Sequence, residues 1–171
     1  MIGPVVGTVM SNLGLENALV AQGIEFRRAN VGDRYVIEAL RESGGVIGGE
    51  ASGHMIVLDK TTTGDGLVCA LLVLEVMKET GKPLSELAAG MTKFPQTMIN
   101  VRTERRLDLD LSCEIQTAVV AAESELAETG RIVLRASGTE PVIRVMVQGE
   151  DHEKVVRIAG RLASIVEKLG A

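Results

Sequence analysis

Aromatic residues are almost missing from this sequence of 171 residues. It has no tryptophan, and its aromatic side chains are Phe26, Tyr35 and Phe94. Proteins that bind single-stranded nucleic acid stack the bases on aromatic side chains. The net charge of −5 also gives no general attraction for a polyanion. We therefore expect no nucleic-acid partner, and an anion site would have to be built locally from a few arginines.

Cysteines and long apolar runs are scarce as well. Cys69 and Cys113 lie far apart in unlike segments, which predicts neither a disulfide framework nor paired zinc ligands. No apolar run approaches the roughly 20 residues that span a bilayer, and no signal-peptide pattern opens the chain. The glycine motifs of nucleotide-binding loops are also missing. These absences predict a cytoplasmic protein without a membrane segment.

Hydrophobic residues make up 46% of the sequence, and their periodicity predicts two domains. Alternating strands and helices indicate an α/β domain over residues 1–93. Phe94-Pro95-Gln96 interrupts this pattern, so residues 94–97 are interpreted as a hinge. Residues 98–171 are expected to form a smaller α+β domain, an antiparallel sheet with helices on one face. The predicted strands are 4–10, 24–29, 46–47, 55–58, 98–103, 131–136 and 142–148, and the predicted helices are 12–22, 34–42, 67–80, 84–90, 110–129 and 151–169.

One candidate site is the turn Ser137-Gly138-Thr139-Glu140-Pro141 between the last two strands. Arg135 precedes it, and Arg144 lies within the apolar strand that follows it. Hydroxyls, backbone N–H groups and two guanidinium groups together suit a phosphate. Glycine would permit a positive φ and a close approach of the ligand. An ordinary hairpin with solvated arginines fits the same residues.

A second candidate is the glycine-rich turn over residues 48–54, between two short strands. It carries Glu50, Ser52 and His54. Carboxylate and hydroxyl oxygens can bind sugar hydroxyls, and an imidazole can transfer protons near neutral pH. A β-turn whose polar groups satisfy its own backbone explains the same composition.

Two further polar stretches favour structural roles. Residues 61–66, which include Thr63 and Asp65, are typical of a helix N-terminal cap. Asp108 and Asp110 alternate with leucines and have no third ligand nearby, which indicates an exposed face rather than a metal site. No metal site is therefore predicted in this chain.

The two candidate loops, Gly49-Glu50-Ala51-Ser52-Gly53-His54 and Arg135-Ala136-Ser137-Gly138-Thr139-Glu140-Pro141, together resemble the α-D-phosphohexomutase family. Stretches 6–12, 31–36 and 58–66 look like the bacterial branch that acts on a hexosamine phosphate. The resemblance covers essentially the whole chain, and it favours the functional interpretation of both loops.

The resemblance implies the third domain, incomplete at its start, and the fourth domain of a four-domain enzyme. By resemblance Glu50 and Ser52 hold sugar hydroxyls, and His54 lies near the reacting hydroxyl. The loop Gly32-Asp33-Arg34 matches a further sugar or phosphate contact. Arg135, Ser137, Gly138 and Thr139 are implied to hold the non-reacting phosphate, with Arg144 added as a supporting residue.

The family mechanism implies parts that this sequence does not contain. A phosphoserine donates its phosphoryl group to a hexosamine phosphate, and a 1,6-bisphosphate turns over in the cleft. Neither the serine loop nor the D-x-D-x-D-R type loop for Mg²⁺ occurs here. The chain is therefore predicted to be inactive without the N-terminal domains of the enzyme. A phosphomannomutase or phosphoglucomutase, and a separate module that binds sugar phosphates, remain alternatives.

Overall fold

The computed structural model describes residues 3–104, 107–138 and 140–170. The chain divides into two compact units, Met1–Lys93 and Phe94–Ala171. Each unit buries its own hydrophobic core, as a separate domain does. The predicted fold class, an α/β domain followed by a smaller antiparallel sheet with helices, is confirmed.

Unit one contains a four-stranded sheet in the order β2-β1-β3-β4. The strand β1 pairs in parallel with both β2 and β3, and β4 returns antiparallel to β3. The carboxyl ends of β1, β2 and β3 therefore lie at one edge of the sheet. The elements are β1 Val5–Thr8, α1 Leu13–Ala21, β2 Phe26–Ala29, α2 Asp33–Ser43, β3 Ile47–Gly49, β4 Met55–Val57, α3 Gly66–Thr80, α4 Leu84–Leu87 and a 3₁₀ turn Ala88–Gly90.

The core of unit one lies between this sheet and α2. Val36 and Leu40, one turn apart on α2, are fully buried against Val6 and Ile56 of the strands. The helix approaches the sheet so closely that a Cβ atom on Gly48 would lie 2.7 Å from Val36 Cγ1 and 2.8 Å from the Val6 carbonyl oxygen. This contact requires glycine in β3.

The helix α3 begins where the cap was predicted. The Asp65 side chain accepts hydrogen bonds from the backbone N–H groups of Leu67 and Val68, at 2.9 and 3.0 Å. Although this helix is strongly apolar, none of its residues is buried, and Leu67 and Leu71 are 80% and 66% exposed. Apolar periodicity therefore predicted the helix correctly, but the apolar character of α3 does not mean that its side chains are buried within unit one.

Unit two contains an antiparallel sheet in the order β5-β7-β6. The helices α5 and α6 cover one face of it, and alternate residues of the central strand, Ile143, Val145 and Val147, are buried beneath them. The elements are β5 Gln96–Arg102, α5 Cys113–Leu126, a 3₁₀ turn Ala127–Thr129, β6 Gly130–Ala136, β7 Val142–Gly149 and α6 His152–Gly170.

Two element boundaries in unit two differ from the prediction. The strand β5 begins at Gln96, which pairs with Gln148, so half of the predicted hinge 94–97 lies in a strand. The hinge role of residues 94–97 remains a prediction. The helix predicted from residue 110 begins instead at Cys113. The Asp108 side chain accepts hydrogen bonds from the N–H groups of Asp110 and Leu111, and the turn that these bonds form precedes the helix.

Among the described residues, no helix combines the length and the apolarity needed to cross a membrane.

An ion-pair cluster joins α5 to α6. Arg157 and Arg161 on α6 both pair with the carboxylate of Glu125 on α5, the second at 2.8 Å. Hydrogen bonds from Arg157 and then from Arg161 lower the pKa of Glu125 below its ordinary value. A carboxyl group of lowered pKa stabilises the fold when it is ionised.

Replacing Glu125 with Gln should therefore lower the Tm at neutral pH. The contribution of Glu125 is fully present above its unfolded-state pKa and is lost as the pH falls through the folded-state pKa. Thermal unfolding from neutral to acidic pH should show a difference in Tm that disappears in acid. Glu123→Gln, at an exposed position of the same helix, is the matched control. A difference in Tm that does not depend on pH would contradict the assignment.

Candidate functional site

The turn between β3 and β4 is a tight hairpin at the loop edge of the unit-one sheet. The N–H of Glu50 donates to the carbonyl oxygen of His54 at 2.8 Å, and the N–H of Gly53 donates to the Glu50 carbonyl oxygen at 3.0 Å. Gly53 has a φ of 97°, a conformation that glycine adopts without strain. These hydrogen bonds fix the two ends of the turn, which carry the Glu50 carboxylate and the His54 imidazole.

The loop between β2 and α2 lies beside this hairpin. The N–H of Gly32 donates to Glu50 Oε2 at 3.2 Å. His54 Nδ1 lies 3.1 Å from Asp33 Oδ1, close enough for the N–H to donate to the carboxylate. A Cβ atom on Gly64 would lie 3.1 Å from Asp33 Oδ2, so the loop before α3 closes the third side.

These contacts assemble a small polar cluster of Asp33, Glu50 and His54. One potential ligand atom from each side chain lies within 4.8 Å of the other two. The sequence analysis named all three residues but did not predict that they meet, since they come from two loops. Two carboxylates so close together attract a positively charged group.

The cluster does not fit the magnesium that the resemblance implies. Mg²⁺ favours a near-octahedral shell of oxygen ligands, whereas one of the three donors here is an imidazole, which suits transition metals better. The cluster is therefore not a fitting site for Mg²⁺.

The structure separates Arg34 and Ser52 from the cluster. The guanidinium group of Arg34 lies over the ring of Tyr35, 5.4 Å from its centroid, and lines a different groove with Glu38 and Arg41. Ser52 lies exposed on the hairpin turn. Of the residues predicted in unit one, Gly32, Asp33, Glu50 and His54 therefore meet at one point.

A cleft of about 460 Å³ opens next to the cluster and includes Glu50 and His54 in its lining. Its lining also includes Ser11 and Asn12, which follow β1, and Lys93. Ser11 and Asn12 belong to the stretch 6–12 that carries the family resemblance, but no site role was predicted for them or for Lys93. Their place at the cleft follows from the parallel pairing of β1 with β3, which a local pattern cannot show.

Arg28 holds the loop after β1 in place. Its Nη1 donates to the carbonyl oxygens of Thr8 and Ser11, at 3.1 and 2.8 Å, and its Nη2 donates to Glu16 Oε2 at 2.7 Å. The guanidinium group also lies over the ring of Phe26, 5.1 Å from the centroid. This arginine gives the loop beside the cleft a fixed shape.

In unit two, the turn after β6 places two arginines side by side. Arg135 and Arg144 are direct cross-strand partners, so their Cβ atoms are roughly 5 Å apart on one face of the sheet. Their neighbours Leu134 and Val145 belong to the core under the helices, so the arginines lie on the opposite face. Like charges in this position destabilise a sheet. A bound anion would offset that cost.

The surroundings of Arg144 leave it partly unsatisfied. Its Nη2 lies 3.8 Å from Glu140 Oε2, which is too long for a hydrogen bond. Its Nε is buried and has no hydrogen-bond partner in the part of the chain that the structure describes. A buried donor without an acceptor costs stability. The arrangement therefore favours an acceptor supplied by a ligand.

The turn itself corrects one expectation. The Ser137 N–H donates to the Val142 carbonyl oxygen at 2.9 Å and closes the hairpin. Gly138 does not have a positive φ, and a Cβ atom there would meet nothing within 4 Å among the residues that the structure describes. The backbone conformation therefore does not require glycine, although the open space leaves room for a ligand. Thr139, also predicted to bind phosphate, lies outside the described residues.

Comparisons with known proteins agree with the fold of both units. The family profile described as phosphoglucomutase/phosphomannomutase, alpha/beta/alpha domain III matches residues 2–94. The C-terminal domain profile of the same family matches residues 98–165. The chain belongs to the phosphoglucomutase/phosphomannomutase family. The predicted membership of the phosphohexomutases is confirmed.

Curated relatives extend this family match. A protein named phosphoglucosamine mutase from Marinobacter nauticus is 53% identical over 97% of this chain and 37% of its own length. Its namesake from Alkalilimnicola ehrlichii is 53% identical over 100% of this chain and 38% of its own length. The chain thus spans less than two fifths of the curated relatives that it matches.

Solved structures of family members share the fold at low identity. The N-acetylphosphoglucosamine mutase of Aspergillus fumigatus superposes with a TM-score of 0.84 at 20% identity, over 98% of this chain and 38% of that one. Another structure of that enzyme, in complex with GlcNAc-6P and magnesium, gives 0.81 at 20% identity, over 98% and 39%. These likenesses establish the fold, and the roles of individual residues remain predictions.

The hairpin geometry makes a testable prediction about Gly53. Gly53→Ala should lower the free energy of unfolding of unit one by about 1 kcal/mol, because a side chain at positive φ is strained. Gly66→Ala, at the first residue of α3 where a Cβ also meets nothing within 4 Å, should be neutral or slightly stabilising. Urea denaturation measures both. Equal effects would show that the backbone of the hairpin is not strained by the substitution.

Proposed function

We propose that this chain forms the substrate-recognition part of a phosphoglucosamine mutase, which interconverts glucosamine 6-phosphate and glucosamine 1-phosphate through a phosphoserine and a 1,6-bisphosphate. The names of the relatives at 53% identity support this reaction. The observation that carries the recognition role is the pair Arg135 and Arg144, which are cross-strand partners at the base of an open turn.

The arginine pair suits the phosphate that does not react. Guanidinium groups bind phosphate oxygens through paired, charge-assisted hydrogen bonds. The Ser137 hydroxyl and open backbone at Gly138 can add further contacts. A cleft of about 430 Å³ beside the turn includes Ser137 and Gly138 in its lining but neither arginine, so the arginine pair itself, on the other face of the sheet, marks the proposed phosphate position. The reaction requires this site to hold a phosphate in both orientations of the bisphosphate.

The cluster of unit one suits the sugar. Glu50 is oriented by the Gly32 N–H and retains acceptor capacity for hydroxyl groups. We propose that Ser52 on the turn adds a further contact with a sugar hydroxyl.

His54 is proposed to move a proton at the reacting hydroxyl. With its Nδ1–H directed at Asp33, the neutral imidazole carries its lone pair on Nε2. Its side chain is 64% exposed, so a substrate hydroxyl can reach that nitrogen. The contact with Asp33 thus fixes the orientation of the ring.

The catalytic groups that complete the reaction are proposed to lie in other domains of the full-length enzyme. The 171 residues contain neither the serine loop nor the D-x-D-x-D-R type loop of the family. When bound, Mg²⁺ would neutralise charge on the transferred phosphoryl group. We therefore expect the chain to bind sugar phosphates without converting them.

Replacing Arg135 with Ala should weaken binding of glucosamine 6-phosphate by roughly tenfold or more, since it removes a charge-assisted contact worth about 1.5 to 3 kcal/mol. Chemical-shift titration of the chain should show perturbations centred on residues 135–140 that are lost in the variant. Added salt should weaken binding to the wild type.

Arg157→Ala is the control, because this exposed arginine lies on α6 and pairs with Glu125. It should leave the titration unchanged. Turnover by this chain alone, or unperturbed signals at residues 135–140 with millimolar ligand, would contradict the proposed function.

A further inference from the structure

The helix α3 carries a row of exposed leucines, Leu67, Leu71 and Leu74, which we call the leucine stripe. Their spacing of four and three positions places them on one side of the helix. They are 80%, 66% and 57% exposed. Up to Met77, the helix carries one charged residue, Glu75. A helix that is apolar on all sides is normally buried, so the leucine stripe indicates a surface that another part of a protein covers.

The opposite side of α3 lies along the face of the unit-one sheet that α2 leaves open. Met55 and Val57 point away from Ile56, which packs with α2, because side chains alternate along a strand. The Cys69 thiol donates to the Met55 carbonyl oxygen at 3.2 Å. A groove of about 370 Å³ between this face and α3 includes Val76 in its lining. The leucine stripe therefore points away from the sheet, and the described residues of the chain leave it exposed.

The full-length relatives contain further chain that can cover this stripe. The family profile that matches unit one describes alpha/beta/alpha layers, of which α2 forms one outer layer and α3 belongs to the other. The profile of the C-terminal domain matches residues 98–165, at the end of this chain. The greater part of the relatives' length, which the chain does not span, therefore precedes the matched region.

A second copy of the chain is a poorer complement to the leucine stripe. Lys78 follows Leu74 by four positions and continues the same side of the helix. Two stripes paired in the same direction would place Lys78 against its own copy, where like charges repel. Two stripes paired in opposite directions would place Lys78 against Leu67, where the ammonium group loses its water. A different helix, with an acidic side chain at this end, avoids both costs.

We infer that the leucine stripe binds an apolar helix from the N-terminal part of the full-length enzyme, and that this contact assembles the recognition part with the catalytic part. The inference rests on the proposed function in one respect, since it takes the chain as part of a larger enzyme. The stripe is apolar and continues the outer layer of unit one. This composition is that of a permanent interface rather than a transient one.

The test is co-expression of the tagged 171-residue chain with the N-terminal part of the Marinobacter nauticus relative, up to the point where its match to this chain begins. The wild-type chain should retrieve that part, and amide hydrogen exchange of α3 should slow in the complex. Leu71→Glu should reduce the retrieved amount roughly tenfold or more, because it places a charge in an apolar contact. Since Leu71 is exposed in the chain alone, the variant should keep the Tm of the wild type.

Val20→Glu is the matched control, because Val20 is 61% exposed on α1 and does not belong to the stripe. It should retrieve as much of the N-terminal part as the wild type does. Leu67→Glu should act like Leu71→Glu and keeps the test valid if the latter variant fails to fold.

Three results would overturn the inference. The first is a folded wild-type chain that retrieves nothing. The second is equal retrieval by Val20→Glu and the folded stripe variants. The third is a homodimer of the wild-type chain, measured by light scattering, that Leu71→Glu dissociates and that the N-terminal part does not displace, since a second copy would then be the occupant.

Turnover of glucosamine 6-phosphate separates this inference from the proposed function. If the complex forms through the stripe without converting the sugar phosphate, the docking surface stands and the proposed reaction fails. If no complex forms while glucosamine 6-phosphate still perturbs residues 135–140, the docking surface is wrong and the recognition of phosphate stands.

Discussion

The parallel pairing of β1 with both β2 and β3 is the constraint on which the arrangement of unit one depends. Val6 at the middle of β1 is fully buried and lies opposite Arg27 on one side and Gly48 on the other. Because parallel strands end at the same edge, the loops that follow them emerge together. A shift of β3 by one residue would turn Gly48 away from Val36 and separate Glu50 from Gly32. The site therefore depends on a strand register that the core enforces.

Both candidate sites place like charges together. Asp33 and Glu50 meet in unit one, and Arg135 and Arg144 are cross-strand partners in unit two. Two like charges so close together repel each other, and nearby groups offset part of this repulsion: His54 lies beside Asp33, and Glu140 lies 3.8 Å from Arg144. The hydrophobic cores of the two units supply stability that offsets the repulsion between these like charges. Structural ion pairs, such as that of Glu125 with Arg161, instead join one positive and one negative side chain.

Local patterns were sufficient for most of the fold. Hydrophobic alternation predicted β6 and β7 as a hairpin, and the capping role of Asp65 was correct because a cap involves residues close in sequence. The start of α5 was wrong, since Asp108 stabilises a turn that competes with the helix. The exposure of α3 could not be predicted, because periodicity reports which residues are apolar and not what covers them.

The composition of the sites was predictable, whereas their geometry was not. Glycine, carboxylate and imidazole at residues 48–54 indicated a sugar site, but the contact of His54 with Asp33 spans 21 positions and depends on tertiary structure. The role of Arg28 was missed for the same reason, since its acceptors lie 12 to 20 positions away. The Arg27-Arg28 pair in a short strand gives no local signal that Arg28 will bind the loop after β1.

The division of charge between the two units has a further consequence for recognition. Guanidinium and carboxylate groups placed in one site would pair with each other, and a ligand would have to break that pair before binding. Here the arginine pair belongs to unit two, where Glu140 lies 3.8 Å from Arg144, and the carboxylate pair belongs to unit one, where His54 lies 3.1 Å from Asp33. The predominant charge of each candidate site is thus set by residues of its own unit.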